Sequence, residues 1–70
     1  MLWWFKTEKK EEVLQGRTIK YLAEKILFST PAYITDVLNG RRSCSYALAN
    51  HMVRCINKED INEYFYKKGE

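Results

Sequence analysis

Proline is almost absent from these 70 residues, and glycine is scarce: there is one Pro, Pro31, and three Gly. Two of those glycines fall at expected helix ends, so no proline- or glycine-rich linker divides the chain. No segment repeats another and none is of low complexity. Cysteine is scarce too. Cys44 and Cys55 are too few for a disulfide framework. Placed on one helix they would stand about 16 Å apart at 1.5 Å per residue, whereas a disulfide needs Cα atoms within roughly 7 Å. They are expected to be free thiols, which suits a reducing cytosol. Long apolar runs are missing: residues 1–5 form the longest near the start, too short for a signal peptide or a membrane span. The expectation is a cytoplasmic protein with no membrane partner. Strand-like alternation is also not evident. What is left is a single all-α domain over residues 1–70, a compact four- to five-helix bundle near the lower size limit for an unstapled core.

What is present is positive charge in the middle. The net charge is +3. Residues 1–12 are neutral and residues 59–70 carry a net −2, while residues 13–58 carry a net +5. The cations there are Arg17, Lys20, Lys25, Arg41, Arg42, Arg54 and Lys58, against only Glu24 and Asp36. A basic centre between neutral and acidic ends is an electrostatic footprint for phosphate.

The apolar periodicity places the helices. A first helix is expected to begin near Thr7, a capping residue, and to stop before Gly16, burying Val13 and Leu14. A second begins at the N-cap Thr18 and buries Ile19, Leu22, Ala23 and Ile26. A third begins at Thr30-Pro31, where proline suits the first helical position. It buries Ile34, Val37 and Leu38 and ends at Gly40. A fourth starts at Ser45 or Ser43 and buries Ala49, Met52, Val53 and Ile56. A fifth is expected after Asn57, with Ile61, Tyr64 and Phe65 closing the core.

Residues 18–42 thus read as two short amphipathic helices joined by a turn, with two arginines directly after the second. That is the layout of a helix-turn-helix that lays its second helix in the major groove. The ordered set Thr18, Leu22, Ala23, Ile34, Leu38, Asn39, Gly40, Arg41 and Arg42 resembles the Cro and phage-repressor (Xre-type) family, with the motif at about 18–40. The resemblance implies a five-helix repressor-like fold, a duplex DNA operator and often a homodimer. It makes Thr18, Lys20, Thr30, Ala32, Tyr33, Asp36, Asn39, Arg41 and Arg42 the candidate DNA-binding residues. Asn39, Arg41 and Arg42 suit phosphate, and the others lie around the base-reading helix.

Two positions depart from that pattern. Leu27 stands where the family usually has a turn glycine, and the stretch from Ala23 to Ile34 carries one extra residue. Leucine resists positive φ, so the second helix is expected to continue past Leu27. The first turn of the third helix offers Pro31 and Ala32, which carry no side-chain donor for a base edge. Asp36 follows one turn later and opposes a polyanion unless it accepts from a cytosine. An alternative function follows: an antirepressor that heterodimerises with a second phage repressor and controls it by protein contact. An antitoxin-like binding module is a third reading.

Five consecutive apolar residues at the N-terminus cannot all face inward, so Leu2, Trp3, Trp4 and Phe5 are candidate protein-interface residues. Cys44, His51 and Cys55 lack the fourth ligand of a structural zinc site, and no nucleophile–base pattern is evident. No metal, cofactor, small-molecule substrate or enzymatic activity is expected.

Overall fold

The computed structural model describes residues 2–67. It overturns the all-α expectation. Trp3–Phe5 forms a strand, β1, and Phe65–Lys67 forms a second, β2. They pair antiparallel, with Trp3 opposite Lys67, Trp4 opposite Tyr66 and Phe5 opposite Phe65. Trp3 also exchanges both of its backbone hydrogen bonds with Cys44, at 2.9 and 2.8 Å. Successive backbone groups in a strand point to opposite sides, so β1 lies between β2 and the Cys44 segment. The fold is therefore a small mixed α/β structure.

The aromatic run makes this strand because Trp and Phe pack well on a pleated, half-buried surface. Burial follows the strand period: Trp3 and Phe5 are buried, Trp4 between them is half-buried, and Leu2 is exposed. Phe5 meets Phe65 edge-on, with ring centroids 5.2 Å apart. Each fully buried phenylalanine contributes about 2–3 kcal/mol, so the sheet is part of the core.

The helices lie between the strands. A 3-10 turn, Thr7–Lys9, leads into α1, Lys10–Leu14. Thr7 does not cap it; the turn's cap position is Lys6, with no side-chain bond. α2, Ile19–Tyr21, is capped by Thr18 and passes into a π turn, Leu22–Ile26. α3 spans Pro31–Leu38 with Thr30 as its cap, and α4 spans Tyr46–Arg54 with Ser45 as its cap. The expected fifth helix is replaced by a 3-10 turn, Ile61–Glu63, followed by β2. Ile61, Tyr64 and Phe65 are still all buried. Their spacing identified core positions correctly, but a short turn and a strand satisfy it as well as a helix does.

The bend between α2 and α3 is built from wide hydrogen bonds. Leu27 N–H donates to Leu22 O at 2.9 Å and Ser29 N–H to Ala23 O at 2.8 Å. These reach back five and six residues, so the π turn absorbs an additional residue without breaking the chain's bonding. Leu27 is buried and stays right-handed at φ −92. The helix ends at Ile26, before Leu27 rather than beyond it as expected, and Phe28 takes the strain. Phe28 has φ +52 and is 82% exposed. For a residue with a bulky side chain that conformation costs roughly 1–2 kcal/mol.

Tyr64 ties the C-terminal segment to α1. Its ring is fully buried and its hydroxyl donates to the Glu12 carboxylate. That hydrogen bond, with burial and the Glu12 and Glu63 charges behind it, pushes the phenol up to about 12.

Candidate nucleic-acid interface on α3

The C-terminal end of α3 is a Schellman ending. Gly40 N–H donates to Val37 O at 3.1 Å and Arg41 N–H to Asp36 O at 2.9 Å. Gly40 sits at φ +76, and a Cβ there would meet Thr7 Cγ2 at 3.1 Å. The left-handed residue turns the chain so that Arg41 and Arg42 leave the helix at its negative dipole end, where cations are favoured.

Four of the candidate residues come together here. Arg41 Nη1 lies 3.5 Å from Asp36 Oδ1, and both side chains are substantially exposed. The Arg42 guanidinium stacks 4.9 Å from the centre of the Tyr33 ring. Tyr33 is half-buried, and burial is the main cause raising its phenol above the ordinary value. The thiol of Cys44 adds to the rise and Arg42 opposes it. Asn39 joins from the helix end: its Oδ1 accepts from Lys10 Nζ at 3.0 Å. Lys10 comes from α1, 29 positions away, and nothing in the local sequence marks it as part of this surface. Asp36 is thus an internal counter-charge for Arg41, which lessens its opposition to a polyanion.

The N-terminal end of α3 differs. Thr30 Oγ1 accepts from Tyr33 N–H at a long 3.4 Å, and Ala32 is exposed beside Pro31. Thr18 caps α2, accepting from Tyr21 N–H at 3.0 Å, and Lys20 is exposed on the same helix. Among the described residues no hydrogen bond or ion pair links Thr18 or Lys20 to the Arg41–Arg42 cluster, although α2 and α3 pack together. Arg17, counted in the basic centre, turns inward. Its Nε and Nη2 donate to Leu14 O and Val13 O at 2.9 and 3.2 Å, completing the end of α1.

No known family model, curated protein or solved structure matches this chain.

The remaining candidates divide between core and surface. Trp3 and Phe5 belong to the core, which removes them from a surface interface. Leu2 is exposed and Trp4 half-buried. With Tyr66, opposite Trp4 in the register, they form the outer face of the sheet. Cys44 is buried and burial pushes its thiol up to about 11. The Cys55 thiol, raised by burial and opposed by Arg17, donates to Met52 O at 2.9 Å. His51 is exposed. Both cysteines are free, and among the described residues no group of three His, Cys, Asp or Glu is placed to hold a metal. Among the same residues no helix is long and apolar enough to cross a membrane.

Proposed function

We propose that this protein is a small cytoplasmic, non-enzymatic regulator that binds duplex DNA through a helix-turn-helix of the Cro or repressor type. α2 and α3 form the motif. Arg41 and Arg42 bind phosphate from the end of α3, with Lys10 and Asn39 beside them. The observation that carries this reading is the Schellman ending of α3, which delivers two exposed guanidiniums next to Tyr33 and Asp36. Such contacts hold a protein on the duplex and supply affinity without specifying sequence. The protein titrated into labelled duplex at several salt concentrations tests the reading. Binding that weakens linearly in log salt is expected; no binding at low salt would sink it.

A second reading is favoured by a specific pair of observations. The first turn of α3 exposes Ala32 rather than a polar base reader, and the outer sheet face exposes Leu2 and Tyr66. An antirepressor would use that apolar face to bind a second repressor, or a second copy of this chain would cover it. Such a regulator would release a repressor from its operator while leaving no footprint of its own.

A further inference from the structure

Phe28 is the most exposed large apolar residue among those described, at 82%, and it holds a left-handed backbone at φ +52. The turn does not need a phenyl ring. Leu27 supplies the buried side chain, and Ser29 N–H closes the bend on Ala23 O. Glycine or asparagine would take the same φ more readily. Local structure therefore accounts for the backbone at position 28 and not for the side chain.

Its place does suggest a use. Phe28 stands two residues before Thr30, the cap of α3. In a helix-turn-helix the N-terminal end of the second helix is the end aimed at base edges. The chain from residue 25 to 35 carries Lys25 and no acid; of the two acids that border it, Glu24 and Asp36, Asp36 is paired with Arg41. Next to the capping Thr30 the exposed side chains of this stretch include two apolar ones, Phe28 and Ala32, where hydrogen-bonding readers are usual. In the major groove the apolar feature of a base pair is the 5-methyl group of thymine.

We infer that Phe28 is a specificity-determining residue that covers thymine methyl groups in the major groove, giving the protein a preference for methyl-bearing pyrimidines. This rests on the duplex-DNA reading above. Phosphate contacts at Arg41 and Arg42 supply affinity, and the ring at the opposite end of α3 supplies discrimination.

Methyl replacement separates the two. Four labelled probes are used: an alternating dA–dT duplex, its deoxyuridine counterpart, an alternating dG–dC duplex, and its 5-methylcytosine counterpart. The wild type should prefer each methylated duplex by about fourfold per methyl group covered. Phe28→Gly should erase both preferences and keep the salt slope, because the phosphate contacts are untouched. Circular dichroism checks that this variant folds; if it does not, Phe28→Asn, which tolerates positive φ, carries the same comparison. Equal wild-type affinity for methylated and unmethylated probes would overturn the inference while leaving DNA binding intact, and Phe28 would then be an anchor for a protein. Preferences that survive Phe28→Gly would overturn it as well. If no probe is bound at low salt, the DNA reading fails and the inference falls with it.

Discussion

Replacing Arg41 and Arg42 together by alanine should weaken DNA binding without unfolding the protein. Each phosphate contact contributes about 0.9 to the slope of log K against log salt, so losing two should flatten it by about 1.8. Carried from about 1 M down to about 0.15 M salt, that is roughly fivefold in affinity per contact and about thirtyfold for the pair. The cost in stability is small. The Arg41–Asp36 pair is solvent-exposed, and such pairs contribute under about 1 kcal/mol; the Arg42–Tyr33 stack contributes a similar amount. The two arginines should also differ. Removing Arg41 leaves the Asp36 carboxylate facing phosphate without its partner, whereas removing Arg42 only bares the Tyr33 ring. Arg41→Ala should therefore lose more affinity than Arg42→Ala, and adding Asp36→Asn to Arg41→Ala should recover part of the loss. Fluorescence anisotropy with a labelled duplex across a salt series measures all four variants. An unchanged slope in the double alanine variant would remove these residues from any DNA interface.

Asp36→Asn in the otherwise intact protein should raise affinity for all duplexes, since one carboxylate near phosphate is lost. If Asp36 instead accepts from a cytosine N4, competition binding should show preference relaxed at one base pair by about 1–3 kcal/mol. At alkaline pH the protein should lose stability. Folding raises the Cys44 thiol to about 11 and the Tyr64 phenol to about 12. A raised pKa means that the folded state favours the protonated form. That contribution is fully present below the unfolded values near 9 and 10 and is lost as pH climbs through 11 and 12. Thermal melts should show a falling midpoint over that window, with the upper part of the fall absent in Tyr64→Phe; an unchanged upper limb there would discount the Glu12 bond. Trp3→Ala should cost about 3–5 kcal/mol, enough to unfold so small a domain. Leu2→Ser with Trp4→Ala should instead keep its circular dichroism and lose association in ultracentrifugation. Normal association by the folded double variant would rule out the outer sheet face as an interface.

Three of the four expected helix caps were legible because each has a local chemical cause; Thr7 failed, since the chain enters the first helix through a 3-10 turn with no side-chain cap. Thr18, Thr30 and Ser45 all accept from the N–H three residues on, and Gly40 takes the left-handed conformation its position required. The strands were hidden for a physical reason. Residues 1–5 are uniformly apolar, so the alternation of Trp3, Trp4 and Phe5 between faces becomes visible only once β2 and Cys44 flank the run. The i, i+3, i+4 spacing of Ile61, Tyr64 and Phe65 also fits a 3-10 turn followed by a strand. At the candidate interface, Tyr33, Asp36, Arg41 and Arg42 lie within one helix and its ending, so the sequence places them together. Lys10 does not share that locality, and it reaches Asn39 only through the packing of α1. Position 28 carries no sequence mark of a left-handed residue: it holds phenylalanine rather than glycine or asparagine, and the π turn moves the positive φ one residue beyond Leu27.

The pairing of β1 with β2 and Cys44 has a consequence for biosynthesis. Trp3 and Phe5 are synthesised before their partners: Cys44 is translated some forty residues later and Phe65 later still. Contacts of such long sequence separation form slowly. Until they form, two large aromatic side chains of the nascent chain have no native shelter, and exposed apolar surface of this kind invites aggregation. The helices between them can form early, but the core cannot close until translation has passed position 65.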